Sequence, residues 1–167
     1  MTFEEFMADR LAALLRFAAV LTGDRALAED VVQEVLIRAQ ARWKRIARMD
    51  MPEMYVRKMV VNEFLSWRRR NQRVTPAGRG TDVAAQPSPD HAQGYAEREA
   101  LVTAIGNLPR RQRAVIVLRY YEGFSETEIA GMLGCAPATV RGYTSRALVA
   151  LRFALSECPP VTAEEFR

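Results

Sequence analysis

The sequence has little of the chemistry from which most active sites and metal centres are built. Its 167 residues include two cysteines, Cys135 and Cys158, and a single histidine, His91. Without a CxxC pair or a histidine cluster, a structural zinc site is excluded. Clustered carboxylates and a phosphate-cradling glycine loop are also missing, so we expect no catalytic residue, cofactor or metal ion. Cys135 is expected to be a small buried thiol, with a redox switch as the alternative.

Long apolar runs are missing too. A membrane-spanning helix needs roughly 18–20 consecutive apolar residues, and no such run occurs. Residues 1–10 are acidic and lack the basic-then-apolar order of a signal peptide. We therefore expect a cytoplasmic protein without a membrane span. Because 49% of the residues are hydrophobic, the chain has enough apolar side chains for packed cores.

Charge of both signs is present, but it is unevenly placed. Residues 1–41 carry four basic and seven acidic side chains, whereas residues 42–73 carry ten basic and three acidic ones. Opposite signs in adjacent segments indicate two partner surfaces, one for a basic protein surface and one for phosphates. The alternative is an ordinary solvated helix face. Such a face would mix acidic and basic side chains, so this alternative explains the basic cluster poorly.

Strand-like alternation is absent, and the apolar residues recur at helical spacing. Segment 71–94 contains three prolines and three glycines with few large apolar residues, which predicts a flexible linker. The predicted fold is all-α: two small helical domains, at 1–70 and 95–156, joined by the linker, with the second containing a helix-turn-helix. Helices are expected near 3–21, 25–43, 52–70, 95–107 and 110–121. The tail, 157–167, is expected to be too short for an appended sensory domain.

Residues 125–155 carry the pattern of the helix-turn-helix. Ser125 and Glu128 form a capping box, which predicts a helix starting at Glu126. Gly134 suits a tight turn, and Pro137 suits the first turn of the next helix. Helical spacing predicts an inward face made of Ile129, Ala130, Leu133, Val140, Thr144, Ala147, Leu148 and Leu151.

The outward face of the second helix contains no acid. It would present Ala138, Arg141, Gly142, Ser145 and Arg146, and no acidic residue occurs from position 129 to position 156. Such a face suits the DNA major groove. An ordinary amphipathic helix pair is the alternative, but it leaves the capping box, the turn glycine and the acid-free face unrelated.

Three stretches of the chain resemble a known family. In order they read GDRALAEDVVQEVLIRAQARW, PEMYVRKMVVNEFLSWRRR and LPRRQRAVIVLRYYEGFSETEIAGMLGCAPATVRGYTSRALVALR. Together they resemble the bacterial extracytoplasmic-function sigma factors, over all of the chain except the linker and the tail. The resemblance implies two tethered helical domains that join core RNA polymerase to promoter DNA and help to melt it. It also implies an anti-sigma protein as a further partner.

The resemblance places a polymerase-binding surface on the second predicted helix. Asp30, Gln33 and Glu34 match the surface that meets the clamp helices of the largest polymerase subunit. A DxxQE run is common on helices, but its order among the other motifs favours the interaction. The flap of the second polymerase subunit is the expected partner of the second domain.

Readers of the −10 element are expected in the basic segment. The resemblance assigns this role to Arg57, Lys58, Asn62 and the loop near residues 44–53, with an extruded base in a pocket beside the loop. Aromatic and amide side chains along a basic track suit unpaired bases. Trp67 fits this role or packing equally well, while Trp43 and Phe64 are expected to pack. Arg68 and Arg69 would bind phosphates, with a solvated helix end as the alternative.

The −35 element is assigned to the second helix of the helix-turn-helix. The matching residues are Ala138, Thr139, Arg141, Gly142, Ser145 and Arg146. Arg141 is the expected base reader, because a guanidinium pairs bidentately with O6 and N7 of guanine. Gly142 stands where the family usually has a polar residue, which removes one hydrogen bond. Phosphate binding is expected of Arg146, Arg110, Arg111 and Arg113.

Two other functions explain less of the sequence. An autonomous repressor or activator would need a dimer interface to reach two half-sites, and no separate dimerisation element is evident. It would also leave the acidic and basic segments of the first domain without a role. A nucleic-acid enzyme would need an active site, for which the sequence offers no candidate.

Overall fold

Eight α-helices and one π-helical turn make up the part of the chain that the structure describes. This computed structural model describes residues 1–71 and 92–156, without the side chains of 67–71 and 92–96. The helices are α1 (Phe3–Thr22), α2 (Arg25–Ala41), α3 (Trp43–Ile46), α4 (Pro52–Asn71), α5 (Ala92–Asn107), α6 (Arg110–Ile116), α7 (Glu126–Leu133) and α8 (Pro137–Ser156). The described residues contain no strand, and the predicted all-α class is confirmed. Most of the predicted linker lies outside them.

Helices α1 to α4 form the first lobe, and local capping signals explain where α1 and α2 begin. Thr2 and Glu5 form a capping box at α1, and the Leu27 amide donates to Asp24 Oδ1 at 3.0 Å at the start of α2. Gly23 ends α1 with a φ of 70°, a conformation that glycine adopts without strain. In the part of the chain that the structure describes, no helix combines the length and the hydropathy that a membrane crossing requires.

The connection between α2 and α4 differs from the predicted loop. Helix α2 ends two residues before the expected position, because Arg42 leaves the helical conformation with φ −117° and ψ 13°. Trp43 then starts the four-residue helix α3, and its ring packs against Phe3 and Phe6 with centroids 5.3 and 4.9 Å away. Its indole Nε1–H donates to the Met1 carbonyl at 3.2 Å. The expected packing role of Trp43 is therefore confirmed.

Helices α5 to α8, with the segment between α6 and α7, form the second lobe. The Glu128 amide donates to Ser125 Oγ at 3.3 Å, and the Ser125 amide donates to Glu128 Oε2 at 2.8 Å. Gly134 ends α7 with a φ of 63°. The predicted inward residues are buried, apart from Leu148, which is partly buried. The helix-turn-helix is therefore present, with the predicted cap and turn.

Helix α6 continues into a π-helical turn, Val117–Tyr121, where the sequence predicts a regular α-helix. The Glu122 amide donates to the Val117 carbonyl, five residues back, at 3.1 Å. Val117 and Leu118 are buried, whereas Tyr120 and Tyr121 are half exposed or more. The wider turn accommodates one residue more than an α-helical turn.

The two lobes pack against each other. Helix α4 contacts α6 and α7, and α1 contacts α5. One hydrophobic core includes side chains of both lobes, among them Phe17 and Phe64 from the first and Leu118 and Ile129 from the second. A smaller cluster lies within the second lobe, between α5, α6 and α8. The expected domain limits at residues 70 and 95 stay a prediction.

Candidate nucleic-acid interface

The outward face of α8 is accessible and basic. Ala138, Arg141, Ser145 and Arg146 are exposed, and Thr139 and Gly142 are half-buried. The structure therefore brings all six residues predicted to bind the −35 element to one helix. Arg146 donates from Nε to the Gly142 carbonyl at 3.1 Å, and its guanidinium lies 5.3 Å from the Tyr143 ring centroid.

A carboxylate from α7 reaches the same face. Glu126 Oε2 accepts a hydrogen bond from Arg141 Nη1 at 3.2 Å, and Oε1 accepts one from Arg119 Nη1 at 2.8 Å. The bond from Arg119, with that from Arg141 beside it, holds the pKa of Glu126 below its ordinary value. This contact could not be predicted from the sequence, since 15 residues separate Glu126 from Arg141 and no local spacing rule connects them.

The predicted polymerase-binding residues are exposed on α2. Asp30, Gln33 and Glu34 lie on its solvent face. Glu34 pairs with Arg38 at 3.5 Å, and Arg38 also forms an ion pair with the buried Glu63 of α4. Beside this face, an open and mostly apolar groove of about 380 Å³ runs between α1 and α2, with Gln33 on its wall. The surface thus combines an acidic edge with an apolar groove.

Two of the predicted −10 residues are engaged by the second lobe. Arg57 forms an ion pair with Glu122 through Nη1 and another with Glu53, at 2.9 Å, through Nη2. Lys58 donates from Nζ to the Gly131 carbonyl at 2.9 Å. Asn62, one turn further along α4, is exposed. The side chains of Trp67, Arg68 and Arg69 lie outside the described residues.

A cleft of about 390 Å³ lies beside the loop at 47–51, where the sequence predicts a pocket for an unpaired base. The first lobe contributes Arg10, Asp50 and Arg57 to its lining, and the second lobe contributes Glu122 and Phe124. Burial raises the pKa of Glu122, and pairing with Arg57 offsets only part of that rise. Sequence reasoning missed Glu122, because its partner is 65 residues away.

Arg113 does not lie on a phosphate-binding surface, so that prediction is wrong. Its Nη1 donates to the Thr22 carbonyl at 2.7 Å and the Leu21 carbonyl at 3.5 Å. Its Nη2 donates to the carbonyls of Gly106 and, at 3.3 Å, Leu108. Burial lowers the pKa of the Arg113 guanidinium. The side chain binds carbonyls at the ends of α1 and α5, which have no partner within their own helices.

Arg110 also contacts the first lobe. Its Nη1 donates to the Phe64 carbonyl at 2.6 Å, and its guanidinium stacks 4.9 Å from the Phe64 ring centroid. Phe64 is buried, as predicted. Arg111, between the two, is exposed. The predicted arginine group is thus divided between packing and solvent.

Comparison with known proteins identifies similarities over both lobes. The family model of Sigma-70 region 2 matches residues 6–74, and that of Sigma-70, region 4, matches residues 98–151. The RNA polymerase sigma-E factor of Streptomyces avermitilis is 34% identical over 151 residues, covering 90% of this chain and 83% of that protein. The ECF RNA polymerase sigma factor SigL of Mycobacterium tuberculosis is 37% identical over 154 residues, covering 89% and 86%.

Solved structures share the fold. The sigma factor RpoE in complex with the anti-sigma factor NepR, from Bartonella quintana, matches with a TM-score of 0.73 at 27% identity. That match covers 92% of this chain and 96% of RpoE. CnrH, solved with the cytosolic domain of CnrY, matches with a TM-score of 0.61 at 22% identity, over 93% of this chain and 88% of CnrH.

Proposed function

Since this chain belongs to the extracytoplasmic-function family of RNA polymerase sigma factors, we propose that it directs core polymerase to promoters by reading the −35 and −10 elements and promoting melting. The exposed, acid-free face of α8 within a capped helix-turn-helix is the observation that carries this function. We place the activity in the cytoplasm, where polymerase and promoter DNA meet, and assign the protein no catalytic reaction of its own.

Reading of the −35 element is assigned to α8. Its outward residues share one accessible face without an acid, which suits entry into the major groove. Arg141 has the guanidinium that can recognise guanine through two hydrogen bonds. Arg146 lies five residues further along the helix and is suited to a phosphate.

Reading of the −10 element is assigned to the first lobe. Asn62 is accessible as it stands, and its amide can pair with the edge of an unpaired base. Arg57 and Lys58 must first leave Glu122 and the Gly131 carbonyl. Carboxylate and phosphate oxygens bind a guanidinium in the same manner, so a DNA phosphate can replace Glu122 at Arg57 once the lobes separate.

Two protein partners complete the proposal. The acidic residues of α2 would bind the clamp helices of the largest polymerase subunit, and the second lobe would bind the flap of the second subunit. An anti-sigma protein is the expected regulator, since the sigma factor RpoE was solved in complex with one.

Binding to core polymerase tests this function directly. Gln33→Ala with Glu34→Lys should weaken association of the full chain with core enzyme by about tenfold or more, equivalent to about 1.4 kcal/mol. Glu99→Lys is the matched control, because Glu99 is an exposed acid on α5. Affinity is measured at moderate salt, together with run-off transcription. Unchanged core affinity in the double variant would remove the assignment of α2, and tight operator binding by the free chain as a dimer would favour a repressor.

A further inference from the structure

Glu126 connects three elements through one carboxylate. It lies in the first turn of α7, and its two oxygens are held by Arg119 of the π-helical turn and by Arg141 of α8. The Glu126 side chain is 28% exposed, whereas the Arg141 side chain is 62% exposed. The carboxylate is therefore fixed at its inner end by Arg119 and reaches outward to Arg141.

This contact restricts an otherwise mobile side chain. A long arginine on a solvent-facing helix samples many rotamers, and fixing it in one of them costs side-chain entropy. A guanidinium carries five N–H donors in a rigid fork. One donor bound to Glu126 leaves enough donors for O6 and N7 of guanine.

We propose that Glu126 is a positioning residue for −35 recognition, which holds Arg141 in its base-reading orientation and repels phosphates that arrive out of register. The inference rests on the proposed function, and within it on Arg141 as the base reader. Glu126 would thus affect DNA binding in two ways, through the orientation of Arg141 and through its own negative charge.

The two effects have opposite signs when the carboxylate is neutralised. A glutamine at position 126 has one acceptor oxygen, so it cannot hold both Arg119 and Arg141 as the two carboxylate oxygens do, and preference for the correct base pair falls. Without the negative charge, attraction to DNA phosphates of any sequence rises. A residue needed only for the stability of α7 would lower both quantities together.

The neighbouring Glu128 provides a matched control. It lies in the same helical turn and carries the same charge, but its carboxylate bonds to the hydroxyl and amide of Ser125. Glu128→Gln should therefore change charge and cap strength without changing the orientation of Arg141. Glu126→Asp keeps the charge but shortens the side chain, so it should lose base preference without a gain in non-specific binding.

The experiment uses holoenzyme assembled from core polymerase and the full chain. Duplexes randomised in the −35 region are selected with the wild type to find the preferred sequence. Each base pair is then substituted in turn, and affinities are measured for Glu126→Gln, Glu126→Asp, Glu128→Gln and Arg141→Ala. A random-sequence duplex reports non-specific binding, and thermal unfolding verifies that each variant is folded.

For Glu126→Gln we expect an approximately threefold to tenfold loss of preference at the one base pair that Arg141→Ala also relaxes. Binding to the random duplex should rise about twofold. If Arg141→Ala relaxes that base pair and Glu126→Gln does not, the positioning role is overturned and the proposed −35 recognition stands. If Arg141→Ala weakens all sequences alike, Arg141 is a phosphate contact, and both the positioning role and that part of the proposed function are overturned.

Discussion

At the scale of single residues, the side chain of Arg113 packs between the two lobes, whereas that of the nearby Arg111 is exposed. Arg113 crosses from the second lobe to the first and binds carbonyls at the ends of two helices. Arg113→Ala should lower the free energy of unfolding by about 2–3 kcal/mol, because buried carbonyls lose a charged donor. Arg113→Lys should rescue little, since one ammonium lacks the rigid fork that reaches both helix ends. Arg111→Ala, at an exposed neighbour, is the control in denaturant unfolding, and a fully stable Arg113→Ala would contradict the structural role.

The side chain of Asn62 is expected to act when the promoter DNA melts. Because its proposed partner is an unpaired base, Asn62→Ala should leave closed-complex affinity unchanged and reduce open-complex formation. Gel shifts report the first quantity, and permanganate reactivity of promoter thymines reports the second. Normal melting by Asn62→Ala would mean that other residues form the −10 pocket.

At the scale of elements, the start of α7 depends on an ionised carboxylate. Hydrogen bonds from the Ser125 hydroxyl and amide hold the pKa of Glu128 below its ordinary value of 4.5. A carboxyl whose pKa is lowered by folding stabilises the folded state above its unfolded pKa, and this contribution is lost as the pH falls through the folded value. The stability difference between the wild type and Glu128→Gln should therefore be largest near neutral pH and shrink below pH 4.5. Thermal unfolding over a pH series measures it, and a constant difference would exclude the ionised cap as its source.

The elements differ in whether neighbouring residues or distant parts of the chain determine them. The caps at Asp24 and Ser125 and the turn at Gly134 depend on neighbouring residues, and they could be predicted from local spacing. The π-helical turn, α3 and the burial of Arg113 depend on what packs against them from distant parts of the chain. Contacts such as Glu126 with Arg141 join separate helices, so no periodicity indicates them. For the same reason, the site was predictable as a set of outward residues but not as a network.

At the scale of the whole molecule, α4 serves both as the predicted −10 reader and as the surface on which the second lobe rests. Glu122→Ala removes the partner that the second lobe supplies to a mostly buried Arg57, whose other partner, Glu53, lies on its own helix. The substitution should therefore weaken the contact between the lobes. The free variant should be more extended by small-angle scattering and should bind a single-stranded −10 oligonucleotide more tightly than the wild type. Glu99→Ala, which removes an exposed acid of the same lobe, is the control. An unchanged radius of gyration together with unchanged oligonucleotide affinity would show that Glu122 does not hold the lobes together.

The π-helical turn at Val117–Tyr121 sets the direction in which the chain leaves the helix. An α-helix advances by about 100° per residue, so removing one residue from the turn would rotate everything that follows by about that angle around the helix axis. Glu122 would then point away from Arg57, and Arg119 would no longer be in phase with Glu126. A single additional residue in one helix thus sets the rotation at which the chain leaves it. Both the contact between the lobes and the orientation of Arg141, the proposed base reader, depend on that rotation.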